Sequence, residues 1–345
     1  MKRKDRQQSI LAIKLDGIGD FALALPALRG LCLAHPDAAL DAVVASFNEG
    51  WKEVVPWIRN WHVIDFRGYR PGHPPRMGKA ALLLRLLALG LQLWKARYQA
   101  AFDLRTVTGD WRGKVIAWLS GAPVRLGGPG AGEWALTRVC RESSVHQSDI
   151  LLERLRGFDP GLEKAASGLV NISRSRPKAA APHLVLHPGA GNASKRWPVE
   201  YWIALARRLA SHSTRATFQF RGGPEDEARL REIAAGAGLD PGMARVSTTL
   251  RETLQILADA DLLVGLDSAA PHLAYLVGTP AITIFSAAND LARWKALGEN
   301  TVLFTPIECS PCLLFHCKWE THRCMEAILP ETVLAAIERK LRERA

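Results

Sequence analysis

Short apolar runs alternate with longer helix-periodic segments along nearly the whole chain of 345 residues. The pattern begins with a strand-like run at 10–15 and a helical segment at 21–33, and it resumes after a turn-rich linker at 173–182. Such alternation is typical of α/β proteins with parallel, doubly wound sheets. It predicts a cleft between two Rossmann-like domains, with ligands at the carboxyl ends of the strands. The predicted bounds are an N-terminal domain at 1–172, a second domain at 183–330, and a C-terminal helix at 331–345 that packs back on the first domain.

Charge and hydropathy limit the partners of the chain. Lys and Arg total 45 against 34 Asp and Glu, and this surplus favours anionic partners such as nucleotides, phosphorylated sugars or anionic lipids. The most apolar tract, 80–94, contains Arg85 and Gln92 and is shorter than the roughly 20 residues that span a bilayer. We expect it to form a helix packed on its own sheet rather than one docked on a membrane. The polar, basic start at 1–8 predicts a cytoplasmic protein, with peripheral contact to the inner membrane face as a further expectation.

A glycine turn follows the first predicted strand. Gly17, Gly19 and Ala22 fit the G-x-G-x-x-A pattern of a dinucleotide-binding turn. NAD binding is excluded, because Asp20 would repel a pyrophosphate there and the second strand does not end in the acidic residue that the ribose requires. Asp20 itself has two interpretations, a helix cap or a general base facing the cleft. The residues alone favour the cap.

Three turns in the second half of the chain also connect a strand to a helix. Their glycines permit close approach of a ligand, their basic residues supply positive charge, and a helix N-terminus offers free amides to phosphate oxygens. The competing interpretations are solvated basic residues, capping carboxylates and a structural histidine. The candidate residues are Gly189, Gly191, Ser194, Lys195 and Arg196 in the first turn, Asp226 and Glu227 in the second, and Asp267, Ser268, Ala269 and His272 in the third.

Taken together and in order, these segments resemble glycosyltransferase family 9, the ADP-heptose:lipopolysaccharide heptosyltransferases. The resemblance extends from residue 10 to about 330. It lies in the segments Ile13-Lys14-Leu15-Asp16-Gly17-Ile18-Gly19-Asp20, Leu25-Pro26-Ala27-Leu28, His187-Pro188-Gly189, Lys195-Arg196-Trp197-Pro198, Val264-Gly265-Leu266-Asp267-Ser268, His272-Leu273-Ala274 and Gly278-Thr279-Pro280.

The resemblance implies a GT-B fold, with the acceptor bound by the N-terminal domain and the nucleotide-sugar donor by the C-terminal one. It implies an inverting, metal-independent transfer of heptose from ADP-heptose to a lipopolysaccharide core or a related anionic glycan acceptor. Asp20 matches the family's catalytic base, within an acceptor-side loop that includes Gly17 and Gly19. The implied donor-binding residues are Gly189, Ser194, Lys195, Asp226 or Glu227, Asp267, Ser268, Ala269 and His272.

Two positions depart from the family's pattern. Ala269 stands where the family often has glycine, and Ser286 stands where glycine often follows phenylalanine. Alanine lacks glycine's conformational freedom at a phosphate-binding turn.

Four of the six cysteines form a compact group near the C-terminus. Their spacing is C-x2-C-x4-C-x6-C, and in a reducing compartment such spacing favours a metal over disulfides. Zinc is expected in a structural site of four thiolates, iron is the alternative metal, and reduced thiols are the other interpretation. The four residues are Cys309, Cys312, Cys317 and Cys324.

Two other functions stay open at this stage. One is another GT-B enzyme of nucleotide sugars, such as a hexosyltransferase or an epimerase. The other is a nucleic-acid-binding protein, suggested by the net charge and the cysteines. Against the second, the basic residues are dispersed and we find no aromatic stacking pattern, so nucleic acid is not an expected partner.

Overall fold

A computed structural model of the chain describes residues 8–65, 79–105, 110–177, 181–211, 216–319 and 321–344. The chain divides into two compact units, Met1–Asn171 and Ile172–Ala345. Each unit contains its own six-stranded sheet, in which all of the strand pairs are parallel. This confirms the predicted class, two doubly wound α/β domains.

The first unit alternates strands with α-helices, with two exceptions. Its strands are β1 (Gln8–Lys14), β2 (Ala38–Ala45), β3 (Asn60–Ile64), β4 (Ala100–Asp103), β5 (Val124–Gly127) and β6 (Arg138–Val139). Its helices are α1 (Ile18–Ala34), α2 (Lys79–Ala96), α3 (Arg112–Leu119) and α4 (Gln147–Arg156). The exceptions are a 3-10 helix (Ser46–Glu53) that joins β2 to β3 and, within the described residues, a connection from β5 to β6 that has no α-helix. The sheet order is β3-β2-β1-β4-β5-β6, so the winding reverses between β1 and β4. Ligands of open α/β sheets bind at such a switch point, outside the carboxyl ends of the strands.

The second unit repeats this plan. Its strands are β7 (His183–His187), β8 (Thr217–Gly222), β9 (Ala244–Val246), β10 (Leu262–Leu266), β11 (Ala281–Phe285) and β12 (Asn300–Phe304). Its helices are α5 (Val199–Ser211), α6 (Glu227–Ala237), α7 (Leu250–Asp259), α8 (Ala269–Leu276), α9 (Leu291–Trp294), α10 (Arg323–Glu326) and α11 (Pro330–Arg342). The sheet order is β12-β11-β10-β7-β8-β9, which puts its switch point between β7 and β10.

The C-terminal helix α11 belongs to the core of the second unit. Val333 and Ile337 are fully buried there, in the same apolar cluster as Trp202 of α5 and Leu186 of β7. The expectation that this helix packs back on the N-terminal domain stays a prediction. Its apolar face is already buried by the sheet and helices of its own unit.

Helix α2 is only partly packed. Leu89 and Leu93 are buried on the sheet of the first unit, as the sequence predicts. Leu84 and Trp94, in contrast, are 67% and 62% exposed. Within the ranges that the structure describes, no helix is long and apolar enough to cross a membrane.

Candidate active site

The turn between β1 and α1 holds Asp20 at the first turn of the helix. The backbone N–H of Gly17, the N-cap residue, donates to Asp20 Oδ2 over 3.1 Å. A Cβ on Gly17 would stand 3.0 Å from that oxygen, so glycine leaves room for the carboxylate to fold back. Asp20 is half-buried. Capping of α1 is thus a role that the carboxylate fills, and the helix N-terminus favours its charge.

Asp16 follows β1 and joins the two strands at the first switch point. Its carboxylate lies 2.6 Å from Lys14 Nζ and 3.0 Å from Arg105 Nε, and the side chains of all three residues are buried. Burial alone would raise the pKa of Asp16, but the charges and hydrogen bonds of Lys14 and Arg105 outweigh it and hold that pKa below its usual range. The buried Asn48 amide donates to the Asp16 carbonyl over 2.6 Å. The switch point of the first unit is therefore closed by an internal ion-pair network.

A second buried carboxylate, Asp103, ends β4 beside this network. Burial raises its pKa to about 6, although the charges of Arg154 and Arg105 act in the opposite direction. The N–H of Arg105 donates to Asp103 Oδ1 over 3.3 Å. A Cβ on Gly113 would clash with the same oxygen, so α3 approaches the carboxylate through a glycine.

The switch point of the second unit also carries an ion pair. Lys195, in the turn after β7, places its Nζ 3.1 Å from Asp267 Oδ2, just after β10. The Asn289 amide donates to the same carboxylate oxygen over 2.8 Å. Burial raises the pKa of Asp267, and it outweighs the charge of Lys195 and the two hydrogen bonds. Asp267 is nearly fully buried, whereas the Lys195 side chain is 17% exposed.

Ser268 is the N-cap residue of α8, and its hydroxyl does not cap the helix. The Oγ is buried and has no hydrogen-bond partner among the residues that the structure describes. His272, in the first turn of α8, is also buried. Ala269 begins the helix. Only Arg97 and Leu313 among the described non-glycine residues have a positive φ, so the backbone at Ala269 does not require glycine.

Asp226 and Glu227 lie at the end of β8 in different environments. Asp226 is buried, and the N–H of Gly223 donates to its Oδ2 over 3.2 Å. A Cβ on Gly189 would clash with that oxygen, so the turn after β7 touches Asp226 through a glycine. Glu227 is exposed and pairs with Arg231 one helical turn away. The structure thus joins Gly189 to Asp226 and directs Glu227 to solvent.

Ser194 is bonded to protein backbone rather than left free for a ligand. Its hydroxyl donates to the Leu314 carbonyl over 2.5 Å, and its N–H donates to the Phe315 carbonyl over 3.1 Å. These bonds attach the turn after β7 to the cysteine-rich segment. Gly191, two residues before Ala193, has open space around the position of a Cβ.

The four clustered cysteines do not form a metal site in this structure. Cys324 is buried and the others are half-buried, and burial raises the pKa of the Cys324 thiol, with a smaller contribution from the neighbouring thiols. In the described part of the chain, no group of three or more His, Cys, Asp or Glu side chains is placed to hold a metal ion. The predicted zinc or iron at Cys309, Cys312, Cys317 and Cys324 has no support from this geometry.

The family model of glycosyltransferase family 9 (heptosyltransferase) matches residues 88–322. The chain belongs to glycosyltransferase family 9. It is 27% identical to lipopolysaccharide heptosyltransferase 1 of Pseudomonas aeruginosa, over 96% of this chain and 98% of that protein. It is 28% identical to lipopolysaccharide heptosyltransferase 1 of Escherichia coli K12, over 85% and 92% of the two chains.

Solved structures of family members share its fold. The E. coli heptosyltransferase WaaC with ADP superposes with a TM-score of 0.73 and 18% identity, over 96% of this chain and all of that one. The E. coli ADP-heptose lps heptosyltransferase II gives a TM-score of 0.75 at 18% identity, over 98% and 100%. The predicted GT-B fold and the assignment as a glycosyltransferase are confirmed.

The sequence did not single out several residues that shape this family 9 enzyme. Lys14 lies within a family-like segment that gives it no predicted role, and the sequence predicts no role for Arg105 or Asn289. Arg105 lies 89 residues along the chain from its partner Asp16, and Asn289 lies 22 residues from its partner Asp267. A lysine inside an apolar strand is the one signal in the sequence that could have indicated a buried ion pair.

Proposed function

We propose that this chain transfers a heptose from ADP-heptose to a hydroxyl of a lipopolysaccharide core or a related glycan. The N-terminal unit would bind the acceptor and the C-terminal unit the donor. The printed names of the two relatives support the reaction. The observation that carries the proposal is the Lys195–Asp267 pair beside the unbonded Ser268 hydroxyl at the start of α8.

This arrangement suits a nucleoside diphosphate sugar. The partly exposed ammonium of Lys195, the free amides of α8 and the Ser268 hydroxyl supply positive charge and donors to the diphosphate. Asp267 and His272 would hold sugar hydroxyls and phosphates from the same turn. Of the two acidic candidates for the ribose, Asp226 is fixed against Gly189, whereas Glu227 is exposed and paired within its helix.

The reaction that we infer is a single displacement with inversion. Asp20 accepts the proton of the acceptor hydroxyl as its oxygen bonds to the anomeric carbon, and the bond from that carbon to the diphosphate oxygen breaks. Lys195 and the amides of α8 stabilise the departing diphosphate, which is the electrostatic work that a catalytic metal does in other transferases. We therefore propose a metal-independent transfer.

Two further features belong to this proposal. A lipid-linked acceptor would bring the enzyme to the inner face of the membrane as a peripheral protein. A structural metal at the cysteine cluster would have no part in the chemistry, because a closed site of four thiolates leaves no coordination position for substrate. Metal analysis of the purified protein tests for the structural metal, and about one equivalent of zinc or iron per chain is the result that a four-cysteine site predicts.

The test of the reaction is transfer from ADP-heptose to a panel of truncated lipopolysaccharide cores. ADP-glucose and UDP-glucose are the donor controls, and Asp20→Ala is the protein control. We expect turnover with ADP-heptose alone and its loss in the variant. Turnover with a UDP-sugar in place of ADP-heptose would instead favour another transferase of the same fold.

A further inference from the structure

Helix α2 carries a line of large apolar side chains that face solvent. Each is at least half exposed, from 52% at Leu87 to 67% at Leu84. We call this set the apolar stripe. It consists of Leu83, Leu84, Leu87, Leu91 and Trp94.

The apolar stripe lies on one side of its helix. At roughly 100° per residue, its five positions fall within an arc of about 100°. The packed side chains Leu89 and Leu93 lie on a different side, against the sheet of the first unit. Helix α2 thus has one apolar face for its own core and a second one that the described residues of the protein leave uncovered.

Further exposed aromatic side chains lie on and after the neighbouring helix α3. Trp94 lies against the end of α3, since a Cβ on Gly121 would stand 2.5 Å from its ring. On α3, Trp118 is 49% exposed, and its ring lies 5.8 Å from that of the exposed Trp134. Several large exposed apolar side chains on neighbouring elements indicate an interaction site rather than ordinary scatter.

The charges on helix α2 itself are of one sign, although Asp65 lines the same cleft as Arg85 and Glu133 directly precedes Trp134. Helix α2 contains no Asp or Glu in its eighteen residues. Arg85, Lys95 and Arg97 are exposed, and none forms an ion pair with a carboxylate in the part of the chain that the structure describes. The surface therefore combines leucines, tryptophans and unpaired cations.

We propose that the apolar stripe and its flanking cations dock this enzyme on an anionic lipid bilayer, with α2 lying in the plane of the interface. Leucines enter the acyl region, tryptophans settle at the headgroup level, and Arg and Lys attract anionic headgroups. The surface would hold the enzyme beside a lipid-linked acceptor, and in that respect alone it rests on the proposed function.

A second copy of the chain fits the apolar stripe less well than a bilayer does. Pairing two stripes would bring Arg85, Lys95 and Arg97 of both copies close together. The chain as a whole carries a formal net charge of +11, which adds to the repulsion. Anionic lipids, in contrast, relieve that charge while they cover the leucines.

The test is binding of the full-length enzyme to vesicles, which needs neither donor nor acceptor. Sedimentation with vesicles of phosphatidylglycerol and phosphatidylcholine is compared with sedimentation with phosphatidylcholine alone. The variant is Leu84→Gln with Leu87→Gln. The matched control is Leu33→Gln with Val145→Gln, two side chains of the same unit that are each 59% exposed.

We expect the wild type and the control to bind the anionic vesicles, and the stripe variant to bind at least about tenfold more weakly. Arg85→Glu with Lys95→Glu should weaken binding by about fivefold per charge and remove its dependence on anionic lipid. All of these double variants change exposed side chains. Their circular dichroism spectra and thermal unfolding curves should therefore match those of the wild type.

Equal vesicle binding by the stripe variant and the wild type would overturn the proposal. So would a concentration-dependent dimer that the Leu84→Gln, Leu87→Gln pair abolishes, since it would assign the surface to a second copy. Failure of the proposed function has a different signature, which is vesicle binding with no transfer from ADP-heptose to any acceptor.

Discussion

The two units place an ion pair at the same point of the same topology, but with the charges exchanged. In the first unit the acid, Asp16, follows β1, and the cation, Arg105, follows β4. In the second unit the cation, Lys195, follows β7, and the acid, Asp267, follows β10, which are the equivalent strands of that sheet. Each pair therefore bridges the crevice where ligands of such sheets bind.

The two ion pairs lie in different environments. The difference indicates a structural role for the first pair and a ligand-binding role for the second. Asp16 has two buried cations, Lys14 and Arg105, and its pKa is lowered, whereas Asp267 has one partly exposed cation and its pKa is raised. The first crevice is filled by protein charges and supports the turn that carries Asp20. The second has a partly exposed ammonium near a Ser268 hydroxyl that is buried and has no hydrogen-bond partner among the described residues.

The largest effect should come from removing the acid of the first pair. Asp16→Asn leaves the buried Lys14 without its counter-charge and Arg105 with Asp110 as its remaining ion-pair partner, and we expect a loss of about 3–5 kcal/mol in the free energy of unfolding. Urea denaturation at neutral pH measures this loss.

The matched control is an ion pair on the surface of the same unit. Lys52 and Glu49 lie 2.6 Å apart and are about half exposed, so Glu49→Gln should cost less than about 1 kcal/mol. A similar small cost in both variants would contradict the view that the first crevice is held together by its charges.

The buried Asp103 provides a test by pH. Its pKa is raised from 3.8 to about 6, so the unfolded chain ionises first and the folded protein loses stability as the pH rises between these values. Asp103→Asn cannot ionise and should escape this loss. We expect equal stability below about pH 4 and a gain for the variant of up to about 3 kcal/mol above pH 6. Unfolding curves that stay parallel from pH 4 to pH 7 would rule out the perturbed carboxyl.

A smaller effect should distinguish two glycines of the second crevice. Gly189→Ala forces Asp226 away from the turn after β7 and should cost about 1–3 kcal/mol of stability. Gly191→Ala has open space for its methyl group and should change stability by less than about 1 kcal/mol. Thermal unfolding of the two variants side by side measures the contrast, and equal stabilities would show that the Gly189–Asp226 contact is loose.

Much of the fold could be predicted from the sequence because its central strands are long apolar runs. The apolar run at 281–285 predicts a strand, and it is β11 as observed. The helical pattern at 250–258 predicts a helix, which ends one residue before α7 does. Strands β5, β6, β9 and β12 and helices α3 and α4 were not predicted. Strands β5, β6 and β9 have only four, two and three residues, so the alternation of a strand has no room to show. Strand β12 and helix α4 are as long as β11 and α7, so length does not explain why they were missed.

The candidate site was predicted less evenly. Local patterns identified Asp20, Lys195, Asp267 and Ser268, because each lies at a strand-to-helix turn with glycine or a helix start beside it. They could not reveal that Asp16 is bonded to Arg105, since that contact depends on the order of strands in the sheet. Nor could they show that Ser194 is bonded to the Leu314 carbonyl, a residue 120 positions away.

The division of labour between the two units is the central claim, and one paired measurement tests it most directly. Turnover with ADP-heptose and the dissociation constant of ADP are measured for Asp20→Asn and Lys195→Met. We predict that Asp20→Asn lowers kcat by about 100-fold or more with ADP affinity unchanged, while Lys195→Met weakens ADP binding by about tenfold or more. Weaker ADP binding in Asp20→Asn with kcat preserved would contradict the claim.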